Sequence, residues 1–435
     1  MQTSSLKRSF LASTFFLAAA ISPALAQDTP AEADKDQPVF SGTALAKALK
    51  ESKLIANARL RYEHADFGSL GENANALTFR LRLGAETGSF LNTKALAEFE
   101  YVESINDNFN STRNGNVLFP VVADPEVIEL NRLQLTNTSL PDTTVTIGRQ
   151  RLIHDDSRFI GNVGFRQNEQ TFDAVRVVNN SIGNLTLDAT YFNQANRIFG
   201  DEDPAAGGNA GGTASNFEGD NFLAKGTYST PLGKLSAFAY ILEIEEVGGN
   251  LSSQTFGARF WGGHKIGPGK LNYQLSYANQ SDRENNPNDY NANFVLAEGI
   301  YNIGPVLGGG GIELLGGDDG VGFSTPFATL HKFNGFADVF LATPGAGLRD
   351  AYGKIGYNFG DVGPIKGLKF AAWYHDFNTD DGSLDIGEEI DLRLWGKIGN
   401  VALEVKYANY FTNNTLAGAP GQDVERLFIF ASYAF

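Results

Sequence analysis

Residues 76–86, ALTFRLRLGAE, alternate strictly: Leu77, Phe79, Leu81, Leu83 and Ala85 fall on one side, and Thr78, Arg80, Arg82 and Glu86 on the other. Successive side chains of a strand point to opposite faces, so this stretch reads as a strand with one apolar face and one ionic face. Its neighbours repeat the pattern. In 53–65, KLIANARLRYEHA, Ala56, Ala58, Leu60 and Tyr62 oppose Asn57, Arg59, Arg61 and Glu63; in 93–101, Ala95, Ala97, Phe99 and Tyr101 oppose Lys94, Glu98 and Glu100. Near the other end, Ile390, Leu392 and Leu394 oppose Glu389, Asp391, Arg393 and Trp395, and Val401, Leu403, Val405 and Tyr407 oppose Glu404 and Lys406. A soluble sandwich alternates too, so alternation alone leaves open whether the apolar face meets a core or lipid.

Three further features decide. Eighteen such segments fit between residues 53 and 435, the first near 53–65 and the last near 422–435, and their connections alternate between short and long. The short ones include Leu140-Pro141, Gly267-Pro268 and Ile303-Gly304, whereas 105–126, 152–168, 197–217 and 318–348 are long. Short turns at one rim and long loops at the other mark a transmembrane barrel. The chain ends ERLFIFASYAF, with Leu427, Ile429, Ala431, Tyr433 and Phe435 on one face, similar to the C-terminal signal that barrel-assembly machinery recognises. Tyr62, Phe90, Tyr101, Tyr191, Tyr228, Tyr374, Tyr407 and Tyr433 lie towards strand ends, as interfacial girdles require. The expected fold is therefore all-β: a transmembrane antiparallel up-and-down β-barrel of about eighteen strands, with short periplasmic turns and long extracellular loops. Sixteen is the alternative count, because the segment carrying Gly308 to Gly311 is a weak strand.

The N-terminus agrees with export. MQTSSLKRSFLASTFFLAAAISPALAQ joins a basic start (Lys7, Arg8), an apolar run and a small-residue close, Ala24-Leu25-Ala26. That is the layout of a cleaved secretory signal over 1–26. A periplasmic segment over 27–52 follows, with a brief helix expected at 44–50, and the barrel occupies 53–435. The chain has no Cys, so neither disulfides nor a cysteine-linked lipid enter the argument. After residue 26 no apolar run approaches the ~20 residues of a spanning helix. The expected location is the bacterial outer membrane, in contact with its lipid and lipopolysaccharide.

Ionic residues opposite a lipid face must line water, because Arg at the bilayer midplane of a barrel costs roughly 2–4 kcal/mol. The face so defined carries Arg59, Arg61, Arg80, Arg82, Lys94, Lys225, Arg259, Lys369, Arg393, Lys406 and Arg426, interleaved with Glu63, Glu86, Glu98, Glu100, Asp188, Glu389, Asp391 and Glu404. Pairing that braces the wall is one use of these groups. A selectivity lining is the other, since so wide a barrel is not filled by wall side chains. Formal charge, −16 for the whole chain and −18 without Lys7 and Arg8, comes largely from acidic loops and the N-terminal segment, so local basic rows govern which solute passes.

Two spans carry a family resemblance: 147–178, IGRQRLIHDDSRFIGNVGFRQNEQTFDAVRVV, and 312–352, IELLGGDDGVGFSTPFATLHKFNGFADVFLATPGAGLRDAY. Both resemble the shared stretches of the alginate-export outer-membrane porin family, and TALAKALKESKLIANARLRYEHAD resembles that family's entry into its first strand. The resemblance implies an eighteen-stranded monomeric barrel and, as in characterised members, passage of an anionic polyuronate through an arginine-rich constriction. It assigns that general role to Arg149, Arg151, Asp155, Arg158, Arg166, Gln167, Asn168, Gln170, Asp173 and Arg176. Arginine suits the task because its guanidinium grips carboxylates bidentately. Within the same stretch, pairing of Arg158 and Arg166 with Asp155 and Asp156 would instead fold the loop.

The connection 318–348 is too apolar for a solvated loop, with Phe323, Phe327, Phe333, Phe336 and Phe340, and is expected to tuck into the barrel mouth, a short helix included. Asp318 and Asp319, in an acidic glycine turn, are a weak calcium candidate. No cofactor or nucleic-acid partner is implied. The five histidines show no metal spacing, and His154 beside Asp155 lacks a serine partner, which argues against an enzyme. Three functions compete: a porin for an anionic oligo- or polysaccharide such as alginate, a general diffusion porin, and a structural or adhesive barrel with a plugged lumen.

Overall fold

A computed structural model describes residues 42–68, 70–200 and 214–435. The expected signal peptide and most of the lead before the barrel lie outside the described residues, as do Asp201, Glu202 and Asp203. A helix, Gly42–Lys50, precedes the sheet and begins two residues before its expected start. Its Ala48 carbonyl accepts the Gly88 amide at 2.9 Å, which docks it beside the turn after the second strand.

Eighteen strands follow: β1 Lys53–Phe67, β2 Ala74–Glu86, β3 Thr93–Ser104, β4 Val127–Asn137, β5 Thr143–Gln150, β6 Thr171–Ile182, β7 Leu185–Asn196, β8 Asn216–Thr230, β9 Gly233–Leu242, β10 Ser253–Ile266, β11 Gly269–Asp282, β12 Asn291–Ile303, β13 Val306–Leu315, β14 Leu348–Val362, β15 Ile365–Asn378, β16 Asp385–Ile398, β17 Val401–Thr412 and β18 Val424–Ala434. Each pairs antiparallel with its chain neighbours, and β18 returns to β1, from Asn57 opposite Ala434 to Phe67 opposite Val424. Closure pairs every strand on both sides, the condition that lipid imposes on a sheet. The count is eighteen, and the glycine-rich segment is a strand: Gly308 to Gly311 pair with Gly299 and its neighbours on one side and with β14 on the other.

The faces follow the alternation. Leu60, Leu83, Phe99, Leu133, Phe222 and Ile355 are exposed on the outside, whereas Arg61, Glu63, Arg80, Glu98, Glu389 and Arg426 are buried inside. Two-residue turns close one rim. Gly267 and Gly304 take φ of 58° and 54° ahead of Pro268 and Pro305, the left-handed first position that such hairpins need. The opposite rim carries the long connections, and two of them, 151–170 and 316–347, enter the lumen. Phe327 packs edge-on against the lumen-facing rings of Phe172 and Phe192, and Phe340 against Phe377 and Tyr410. That explains the apolar character of the second loop: it supplies half of an aromatic core whose other half is the inner wall. Only a 3-10 turn, Leu330–Lys332, represents the short helix expected there.

Close strand packing makes a specific demand on the weak strand. A Cβ at Gly309 would sit 2.0 Å from the Gly299 carbonyl oxygen, while one at Gly353 would meet nothing within 4 Å. Gly309→Val should therefore cost roughly 1–3 kcal/mol and lower the folded fraction in a heat-modifiable mobility assay, and Gly353→Val should leave it unchanged.

Candidate functional site

The loop 151–170 is held by arginines of the first strands, which donate to its backbone. Arg80 and Arg82 both reach the Gln167 carbonyl at 3.3 Å. Arg59 donates to the Gln167 side chain at 2.9 Å, to the Gly164 carbonyl at 3.0 Å and to the Arg166 carbonyl. Gln167 answers by donating to Thr78 of β2 at 2.9 Å. The loop returns charge of its own: Arg166 bridges Glu63 at 3.0 Å and Asp338 at 3.3 Å, and Arg158 bridges Glu313 at 2.7 Å. Glu169 accepts from Arg151, Asn131 and Asn162, each at 2.7 Å. Burial pushes the Glu169 carboxyl up, but Arg82 and Arg151 outweigh burial and hold it down at about 2.

The second loop hangs on carboxylates. Glu389 and Asp391 of β16 accept the backbone amides of Ala337 and Phe336 at 2.7 and 3.0 Å. The loops join across the lumen where Gly161 donates to the Phe327 carbonyl at 2.8 Å and Phe165 stacks on His331, ring centroids 3.3 Å apart. Burial drives the His331 imidazole down to about 3, so at neutral pH it is uncharged. Its Nε2 then accepts from Lys406 at 3.0 Å, and its Nδ1 hydrogen faces Asp338 at 2.8 Å.

Two cavities meet at this contact, and Phe165 and His331 line both. One, of about 710 Å³, is bounded by Arg158, Arg166, Arg197, Phe199, Phe217 and Leu330. The other, of about 980 Å³, opens towards the short-turn rim and is bounded by Arg59, Lys354, Lys369, Trp373, Arg393 and Trp395.

Of the residues singled out from the sequence, Arg59, Arg61, Arg80, Arg82, Arg176, Arg259, Arg393, Lys406 and Arg426 take the inner face of the wall, and Arg151, Arg158 and Arg166 reach the lumen on the loop. Most are neutralised. Arg82 binds Glu100, Arg176 binds Asp188, Arg259 binds Asp156 and Arg393 binds Glu404. Lys94 pairs with Glu86 at 3.3 Å, far from the constriction. Arg59 and Arg80 differ: among the described residues neither forms a salt bridge, and both spend their donors on amides and carbonyls. The loop's own acids do not fold it as expected, since Asp155 pairs with Lys225 and Asp156 with Arg259.

Two residues lie elsewhere. Arg149 stands opposite Leu133 and Asp173, and shares the face of Ile147 and Val175, whose side chains are exposed on the outer wall. Arg149 and Asp173 form a bidentate pair at 2.8 and 2.9 Å on that outer register, not in the pore. Asp318 accepts the Asn291 amide at 2.8 Å beside the small hairpin of Gly317–Asp318 with Val321–Gly322. Among the described residues no group of three His, Cys, Asp or Glu is placed to hold a metal. Sequence reasoning missed Phe165, His331 and Glu169 as constriction residues. The apolar run of the second loop was the one signal that pointed near them.

No family model matches the chain, and no curated protein matches its sequence. Solved structures do. The chain superposes on OpdK of Pseudomonas aeruginosa, determined with vanillate, at TM-score 0.68 and 17% identity, covering 89% of this chain and 99% of that one. OccK9 (OpdG) and OccK5 (OpdH) of the same organism give TM-scores of 0.68 and 0.63 at 16% identity, with the same coverage. The fold is that of an outer-membrane porin. These neighbours are Occ and Opd proteins, so the alginate-export likeness narrows to the barrel type they share.

The Glu169 cluster gives the loop a pH dependence. A carboxylate whose pKa is depressed on folding stabilises fully above its ordinary 4.5, and that contribution is lost as pH falls through about 2. Wild-type thermal stability should decline across this window, and Glu169→Gln should start lower and lose that part of the pH slope.

Proposed function

We propose that the chain is an outer-membrane porin through which carboxylate-bearing solutes diffuse passively, down their own gradient. The carrying observation is the pair of cavities meeting at a constriction where Arg59 stands without a carboxylate partner. Every unit of paired charge along the wall cancels locally. The unpaired cations set the residual field, and they favour anions. OpdK, with its vanillate, lends the reading support by analogy of fold alone.

Size selection follows from the loops. Phe165 on His331, and the amide of Gly161 on the carbonyl of Phe327, join two loops that are anchored to different strands, the first to β1 and β2 and the second to β16. Such a path suits a monomeric or short oligomeric carboxylate. A long polyuronate such as alginate, the solute implied by the sequence resemblance, requires these contacts to part. The channel reading also assigns catalysis to no residue: His154 is buried against the Tyr240 hydroxyl at 3.0 Å. Assembly into the membrane is assigned to the β18 terminus, where Phe435 is 79% exposed and its amide donates to Ala56 of β1.

Planar-bilayer conductance of the refolded barrel tests the proposal. Anion-selective current is expected, reduced by added short carboxylates. An exposed unit charge acts on a passing ion with about 1 kcal/mol at 4 Å, worth about five-fold in a partition ratio. Lys369→Gln, at the open rim, should lower the anion-to-cation ratio by up to that factor, and Arg59→Gln, at the buried constriction, should lower it as well. Current without anion preference would reduce the chain to a general diffusion porin, and absence of current would make it a structural barrel. Arg166→Met, which frees the loop from Glu63 and Asp338, should raise both conductance and its fluctuation.

A further inference from the structure

The chain contains three tryptophans. In a membrane barrel this side chain normally gathers on the outer face at the two interfaces. Here all three take the inner register, and each lies beneath a cation. Arg259 stands 5.3 Å from the Trp261 ring, Lys354 4.5 Å from Trp373 and Arg393 4.5 Å from Trp395. Trp373 and Trp395 are only partly buried and border the larger cavity, so they are not wall filler.

Their neighbours form a repeat. Trp373 lies directly across from Lys354 in the β14–β15 pair, and Trp395 directly across from Lys369 in the β15–β16 pair. Along β15 the two levels are four residues apart, about 13 Å. Lys354, Lys369 and Lys397 all line the cavity, and among the described residues none of the three forms a salt bridge. The series continues upward. Trp373 meets Phe336 edge-on at 5.3 Å, Phe336 stacks on His331 at 5.4 Å, and His331 stacks on Phe165. Ring contacts thus run from the constriction to Trp373, and Trp395 stands one further level towards the rim.

We propose that the larger cavity is a stacking track for ring-bearing anions, with stations at Trp373 and Trp395 that take the solute as it leaves the constriction. An indole offers a flat apolar face to a six-membered ring, and a lysine one cross-strand position away meets the anionic substituent on that ring. Lys354 needs only to swing on its four-carbon stem to exchange the indole face for a bound carboxylate. An open-chain acid gains the lysine contact but loses the face. The track rests on the porin reading for its purpose, but its binding is measurable without any current.

Because every tryptophan faces the lumen, intrinsic fluorescence of the folded barrel reports on the track. Two pairs of non-absorbing acids separate ring from chain: glucuronate against gluconate, and cyclohexanecarboxylate against heptanoate. At least one ring acid should change the emission saturably, with a midpoint about five-fold lower than its open-chain counterpart, the ratio that one stacking contact supplies. The responding pair tells whether the solute is a sugar acid or an apolar ring acid. Trp373→Leu with Trp395→Leu should abolish the preference, read for that variant by equilibrium dialysis because its reporters on the track are gone, Trp373→Phe should keep most of it, and all variants should keep the folded mobility. Equal midpoints for ring and chain, no saturable change, or a preference that survives the double leucine variant would overturn the track. Current in wild type with no ring preference removes the track and leaves the porin. A ring preference without current does the reverse.

Discussion

Glu63 sits on the inner face of β1, fully buried, and accepts from three guanidiniums: Arg61 beside it, Arg426 of β18 at 2.6 Å and Arg166 of the inward loop at 3.0 Å. A carboxylate so placed is tolerable only while its partners remain, since an ion stripped of its counterion in a dry site costs several kcal/mol. The excess positive charge is in turn met by Asp124, 3.0 Å from Arg61, and by Asp338, 3.3 Å from Arg166. One network therefore spans the seam where the barrel closes, the first loop and the second loop. The sheet can close through backbone pairing alone. What the network adds is a fixed position for the loops relative to that seam, and the constriction is made of those loops.

This coupling divides the basic residues into two kinds. Arg61, Arg82, Arg151, Arg158, Arg166 and Arg426 are consumed by carboxylates and act as fasteners, their field largely cancelled within the pair. Arg59 and Arg80 also hold the loop, but through carbonyl and amide oxygens, so their charge is oriented and not neutralised. Fixed cations of this second kind act on an anion without having to reorganise first. A count of arginines along the pore would overstate its preference for anions. The unpaired remainder sets it.

The strands and their faces were legible because period-two alternation maps one residue to one face, and lipid on one side makes the contrast sharp. Even the glycine-rich β13 obeys it, with Glu313 inside and Ile312 outside. Partner choice was not legible. Arg166 meets residues 103 and 172 positions away, and no local spacing encodes such distances. Arg149 illustrates a different failure. It sits in a motif whose other arginines reach the lumen, yet its parity with Ile147 already placed it on the outer face. There the period of the strand outweighs the content of the motif. His331 and Phe165 gave no signal of their own, being ordinary residues made important by two loops meeting.

The two halves of the lumen use aromatic side chains in opposite ways. Towards the long loops, Phe172, Phe192, Phe327 and Phe377 are fully buried and close-packed, which fixes the loops but leaves no ring face free. Towards the short turns the rings are larger, partly exposed and accompanied by lysine, and the second loop touches them only through the edge contact of Phe336 with Trp373. A solute would therefore move from a rigid gate into a wider chamber with several weak contacts, among them acids at Glu298 and Glu404 that oppose the lysines. That mixture matters for flux. Cations alone would hold an anion at the first level it reached, whereas interleaved carboxylates keep each level shallow enough to leave. The acidic residues of the wall thus serve two ends: buried ones pin the loops, and exposed ones keep the path from becoming a trap.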